Sequence, residues 1–198
     1  YKEQVMQIIL GSSSASRKSL LKQLKISFTV IDPDINEDEK DNESPQQHVY
    51  RLAQQKAIAV KQKCKQNSLI IAGDQILLCN DIIFGKPLTL ENTQKQLQYF
   101  SGKLAIFYSS LCVLNTKTNS SQTKVITTEI QFRNLSLEKI HKYSEAEKPL
   151  NCAGSFKAEG LGAALITNIK SDDPYAIKGL PLLTLCSMLE KEGFDVIM

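Results

Sequence analysis

The most constraining feature of the chain is a change of hydrophobic period at residue 11. Gln7-Ile8-Ile9-Leu10 is a short apolar run, Gly11 and Ser12-Ser13-Ser14-Ala15-Ser16 interrupt it, and behind Arg17 the residues Leu20, Leu21 and Leu24 recur at helical spacing. That pattern predicts a strand feeding a helix through a tight loop. The same alternation continues downstream. Ser44-Pro45 reads as an N-cap with proline at the first helical position, before a stripe of Val49, Leu52, Ala53, Ala57 and Val60 that also carries Lys56. Leu69-Ile70-Ile71-Ala72 is a continuous strand-like run. Gly73-Asp74-Gln75 breaks it, Ile76-Leu77-Leu78 resumes it, and Asn80-Asp81 supplies a hairpin turn before Ile82-Ile83-Phe84. Thr89 caps a helix with Leu90, Leu97 and Phe100 on its buried face, stopped at Ser101-Gly102. Two longer strands are predicted over 104–114 and 124–132, the second with one wet face, since Ile126, Thr128, Ile130 and Phe132 alternate with polar residues. Ser136 caps a helix to about Tyr143, a strand is expected over Ala163–Ile169, and Pro181 opens a last helix through Leu189 to Gly193. The order predicts an α/β protein with mixed strand directions rather than a doubly wound repeat. With no internal repeat or long linker, residues 1–198 read as a single domain, arranged as two lobes around a cleft.

Composition excludes several classes. The 198 residues are 42% hydrophobic and 23% charged, an ordinary globular balance. A net charge of +3 is too small a bias to argue for nucleic acid or an acidic membrane, though it allows a local basic pocket. No run approaches the ~18 apolar residues of a membrane span, and Tyr1-Lys2-Glu3-Gln4 lacks the order of a secretion signal. Without an initiator Met, a few first residues are expected to be missing or replaced. The 5 cysteines are odd in number and form no C-x-x-C pair, which argues against a disulfide framework or zinc knuckle and for reduced thiols in a cytoplasmic protein. Only 2 histidines are present, His48 and His141, so a histidine metal cluster or a Ser-His-Asp triad lacks the residues it needs. Any chemistry must run on carboxylates, lysines, arginine and hydroxyls.

Those residue types recur at suggestive places. Small residues from Gly11 to Ser16 let backbone N–H groups approach an anion at a helix N-terminus, with Ser12, Ser14 and Arg17 as further donors; an ordinary serine-capped turn reads the same way. Lys56 on an apolar stripe either snorkels to water or meets an anion. Asp74, directly after a buried strand, suits a general base, a metal ligand or a structural hydrogen-bonding role. Gly85-Lys86-Pro87 is not a Walker loop, because no Ser or Thr follows the lysine. Gly154 to Gly162 is a second glycine-rich segment, weak on its own. Together with Glu37, the inventory suits phosphate-anhydride hydrolysis, in which cations hold phosphates and carboxylates hold a divalent metal.

Read together, Leu10-Gly-Ser-Ser-Ser-Ala-Ser-Arg17, Arg51-Leu-Ala-Gln-Gln-Lys-Ala57, Gly73-Asp-Gln75, Gly85-Lys-Pro87, Ser101-Gly102 and Gly179-Leu-Pro181 resemble the Maf-type nucleotide pyrophosphatases, in the family's order and over nearly the whole chain. Cys152-Ala-Gly-Ser-Phe-Lys-Ala-Glu-Gly160 and Gly73-Asp-Gln75 resemble its 7-methyl-GTP branch rather than the dTTP/UTP branch. The resemblance implies a mixed twisted sheet with flanking helices around a deep cleft, as in inosine-triphosphate pyrophosphatases, often as a homodimer. It implies cleavage of a nucleoside triphosphate between the α and β phosphates with a divalent cation, Mg2+ or Mn2+. By the same resemblance Asp74 is the proton acceptor and, with Glu37, serves the metal. Ser12, Ser14, Arg17, Lys56 and Lys86 hold the triphosphate, and Ser16, Gln75 and Glu159 set substrate preference. A carboxylate at 159 also makes chemical sense, because the guanine edge presents ring N–H and amino donors, and 7-methylguanine adds a positive charge. Ser16 departs from the tryptophan that the resemblance leads one to expect, which removes an aromatic platform for the base. Two alternatives stand beside this reading: a pyrimidine triphosphate pyrophosphatase, and a nucleotide-binding regulator of cell division that does not hydrolyse its ligand.

Overall fold

The computed structural model describes residues 6–64 and 67–197. Its element order is β1 (Gln7–Gly11), α1 (Ala15–Gln23), β2 (Phe28–Val30), α2 (Pro45–Lys63), β3 (Ser68–Ala72), β4 (Gln75–Cys79), β5 (Ile82–Phe84), α3 (Leu90–Phe100), β6 (Leu104–Asn115), β7 (Ser121–Phe132), α4 (Leu137–Glu147), β8 (Ile166–Ser171) and α5 (Leu182–Lys191). The strands form one mixed sheet in the order β2-β1-β3-β6-β4-β5, with β7 against β6 and β8 against β7. β1 runs parallel to β2 and β3, and the other pairings are antiparallel. The expected α/β class with mixed strand directions is what the chain adopts.

The arrangement of β6 sets the architecture. One edge of this strand pairs along its length with β7. The other is shared by two strands laid end to end: β3 takes Cys112 to Asn115, and β4 takes Ile106 to Ser109. Gly73 and Asp74 fill the gap between β3 and β4. The hydrophobic clusters divide at the same place. Leu77, Phe100, Phe107, Phe132 and Phe156 build one cluster beside α3 and α4, while Leu10, Leu21, Leu69, Leu111 and Leu185 build another beside α1 and α5. A third, with Ile9, Ala53, Ala57, Val60 and Ile70, seats α2. The cleft opens between these regions.

Local chemistry explains the elements. Ser44 and Gln47 form a reciprocal capping box at the start of α2, with proline at the first turn. Asn80 and Asp81 both adopt positive φ, the turn that a tight hairpin of right-handed twist needs. Several boundaries differ from expectation, and β7 begins at Ser121 rather than at residue 124. Helix α4 continues past Tyr143 to Glu147, because the polar Ser144 is satisfied inside it by donating to the Ile140 carbonyl; left-handed Lys148 ends it. The strand expected over Ala163–Ile169 begins only at Ile166, after 3₁₀ turns over Gly160–Leu165. At Gly162 the chain passes so close to the Lys157 carbonyl that a Cβ would stand 1.8 Å from its oxygen, and an extended strand could not fold back that tightly.

Candidate active site

The break between β3 and β4 gives Asp74 its position. A Cβ on Gly73 would lie 2.3 Å from the Ser110 carbonyl oxygen, so only glycine lets the chain pass β6 here. Ser110 then fixes the next residue: its Oγ accepts from the Asp74 N–H at 2.9 Å, and its own N–H donates to the Asp74 carbonyl at 2.9 Å. The Asp74 side chain is 10% exposed, and its Oδ1 accepts from Lys56 Nζ at 2.7 Å. Lys56, 7% exposed on the apolar stripe of α2, also reaches Glu37 Oε1 at 2.7 Å, so its amine meets two carboxylates rather than snorkelling to bulk water. Glu37 is 54% exposed at the mouth of the group. Among the described residues Asp74 Oδ2 accepts no hydrogen bond and remains open to the cleft.

The serine loop lies across the same cleft, which has a volume of about 820 Å³. Ser14 caps α1 by accepting from the Arg17 N–H at 3.4 Å, and Ser12 Oγ accepts from the Ser14 N–H at 3.1 Å and from Arg17 Nη1 at 3.3 Å. Arg17 Nε donates to the Gly179 carbonyl at 2.8 Å. Burial lowers the Arg17 pKa, and the fields of Asp74 and Glu37 oppose that shift.

Ser16 and Gln75 line the cleft, but their donors are used within the protein. Ser16 Oγ donates to the Lys178 carbonyl at 2.8 Å. Gln75 Nε2 reaches the Ala176 and Ile177 carbonyls at 3.0 and 3.1 Å and Ser109 Oγ at 2.9 Å. With Arg17 on Gly179, three side chains hold four successive carbonyls of the 176–179 turn. Lys86 and Glu159 also line the cleft and are both exposed. The fold thus gathers every candidate residue around one cavity, while assigning Ser16 and Gln75 hydrogen bonds that shape its wall.

Sequence reasoning assigned no role to the network beside α2. Arg51 grips Glu43 with Nε on Oε1 and Nη2 on Oε2, both at 2.6 Å, and Nη2 also reaches the Asp38 carbonyl at 3.0 Å. His48 Nδ1 stands 3.1 Å from Glu43 Oε2, where it serves as the donor because an ionised carboxylate only accepts. The Arg51 bond, helped by His48, holds the Glu43 carboxyl down to about 2. This clamp ties Asp38 and Glu43 to α2, and Glu37 immediately precedes the first of these. Its only sequence signal was the spacing of Glu43, His48 and Arg51 around the capping box.

No group of three or more His, Cys, Asp or Glu suited to a metal ion occurs among the described residues. Glu37 and Asp74, both bonded to the Lys56 ammonium, do bring two hard carboxylates together on the lining of the cleft. That donor set fits a magnesium-like ion, which takes one or two carboxylates and completes its shell with substrate phosphate oxygens and water.

The pattern of the family described as Maf-like protein matches residues 7–192, taking in every side chain just placed around the cleft. The chain is a member of the Maf-like family. Three curated relatives are each 43% identical to it. The protein from Idiomarina loihiensis aligns over 95% of this chain and 96% of its own, that from Colwellia psychrerythraea over 96% and 94%, and that from Methylobacillus flagellatus over 96% and 98%. Each is named 7-methyl-GTP pyrophosphatase. None of the described helices of this Maf-like chain is long and apolar enough to cross a membrane.

Proposed function

We propose that this Maf-like protein hydrolyses 7-methyl-GTP between the α and β phosphates, releasing 7-methyl-GMP and pyrophosphate. The observation that carries the reading is the Lys56 ammonium held 2.7 Å from both Asp74 and Glu37, opposite the Arg17 and serine-loop donors in one cleft. Lys56 occupies Asp74 Oδ1, which leaves Oδ2 to accept a proton from water. The water oxygen forms a bond to the α phosphorus, the bond from that phosphorus to the bridging oxygen breaks, and the electron pair leaves with pyrophosphate. Arg17, Ser12, Ser14 and Lys86 bind the phosphate oxygens and offset the charge that accumulates on them.

Glu37 and Asp74 are the residues that would hold the divalent cation, Mg2+ or Mn2+. When bound, that ion supplies Lewis-acid polarisation of the phosphates. At the far end of the cleft, Glu159 accepts from the ring N–H and amino donors of the guanine edge. Ser16 and Gln75 serve this choice of base through the 176–179 turn. The names of the relatives support the choice of 7-methyl-GTP. The reading extends to a cytoplasmic homodimer whose protomers are single domains.

The test is pyrophosphate release from 7-methyl-GTP, GTP, UTP and dTTP with Mg2+ or Mn2+. A preference for 7-methyl-GTP supports both the reaction and the role of Glu159. Preference for a pyrimidine keeps the reaction and refutes that role. Binding without release from any of the four refutes the enzymatic reading in favour of a nucleotide-binding regulator.

A further inference from the structure

Glu159 is the one carboxylate at the base end of the cleft whose partners are missing from the protein itself: among the described residues it makes no hydrogen bond or ion pair. That state needs explaining, because Lys157 is two residues away and feels its charge. A lysine so placed is the natural partner for Glu159 and would compete with any base offering donors to it.

Glu147, at the last position of α4, prevents this. Its Oε2 holds Lys157 Nζ at 2.7 Å, and its Oε1 accepts from the Leu161 N–H at 2.7 Å. One carboxylate therefore grips the loop on both sides of Glu159. The backbone is cut to fit: Gly160 has φ +75°, and a Cβ there would stand 2.5 Å from Glu147 Oε1. A second anchor from α4 completes the hold. Tyr143 Oη accepts from the Lys157 N–H at 2.9 Å and donates to the Ser155 carbonyl at 3.1 Å. Lys157 is held above the usual lysine range, with the Glu147 bond as the main cause, and Glu147 below the usual carboxylate range by the same bond, so the pair is ionised at neutral pH.

The geometry points to Glu147 as a positioning residue for base selection: it fixes the 157–161 loop and occupies Lys157, leaving the Glu159 carboxylate free for the donor edge of a purine. This rests on the reading of Glu159 given above. It differs from loop stiffening alone, because it assigns Lys157 the part of a competitor that must be kept engaged.

The experiment measures dissociation constants for 7-methyl-GMP and UMP by calorimetry, which reads the base end without turnover. In Glu147→Gln the side chain keeps an acceptor for the Leu161 N–H but releases Lys157. The expected result is a roughly tenfold loss of preference for 7-methyl-GMP over UMP, the scale of one charge-assisted hydrogen bond. In Glu147→Gln combined with Lys157→Met, the preference is expected to return, since the competitor is gone. Weakening of both nucleotides alike, or no recovery in the double variant, overturns the inference in favour of a structural role only. Glu159→Gln in the same assay separates the two claims. If it lowers the preference and Glu147→Gln does not, the Glu147 inference falls and the Glu159 reading stands. If Glu159→Gln changes nothing, both fall, while pyrophosphate release remains an independent test of the reaction.

Discussion

The two ends of the cleft solve the problem of holding a carboxylate in opposite ways. At the reaction end Asp74 is nearly dry and bonded to an equally buried Lys56, on a strand terminus braced by Ser110. At the base end Glu159 is exposed and unpaired among the described residues, on a loop that Glu147 holds from both sides. The difference follows from what each end does. A group that takes a proton gains from a fixed charge and fixed geometry in a water-poor setting. A group that reads a base must have its acceptors free until the ligand arrives. Burial of a pair achieves the first, and a clamp acting at a distance achieves the second.

The comparison is broken most severely at Lys56. Lys56→Met is expected to leave Asp74 buried without its cation, lowering turnover by roughly 1,000-fold and stability by about 3–5 kcal/mol, the scale for removing one partner of a buried pair. Pyrophosphate release and denaturant unfolding measure the two effects. Asp74→Asn keeps the shape and removes the proton acceptor. Its expected signature is a loss of about 100-fold or more in kcat with a near-parental melting temperature, and retention of a tenth of the rate rejects Asp74 as the base.

A smaller effect sharpens the contrast between buried pairing and remote clamping. The Glu43 carboxyl sits at about 2 in the folded protein, below its unfolded value of 4.5. The unfolded state therefore binds protons first as pH falls. Its contribution is complete above 4.5 and is lost between 4.5 and 2, of order 1–2 kcal/mol once solvent screening is allowed for. Glu43→Gln is expected to flatten stability against pH across that window and to slow turnover several-fold by loosening the segment that carries Glu37. An unchanged acid-unfolding curve would refute the clamp. At the base end, Glu159→Gln is expected to change the preferred nucleotide with no measurable change in melting temperature.

Much of this molecule is written in local pattern. The period change at Gly11, the Ser44-Pro45 helix start, the Asn80-Asp81 turn and the lone lysine on the α2 stripe are all statements about neighbours in the chain, and burial follows directly from such periodicity. The position of Asp74 after a buried strand was legible for the same reason. The partners of these groups were not. Lys56 and Asp74 are 18 residues apart, Gln75 and the Ala176 carbonyl 101, Ser16 and the Lys178 carbonyl 162. No local period records such a pair. Whether Ser16 and Gln75 point at a ligand or at a backbone turn depends on where β8 and α5 return the chain. Whether Glu159 is free depends on how far α4 runs, and Ser144, satisfied within the helix, carries it the extra turn that brings Glu147 to Lys157. Local physics chose the elements and marked which residues would be buried; the close packing of distant segments chose which polar groups would meet, because hydrogen bonds and ion pairs require contact within about 3 Å.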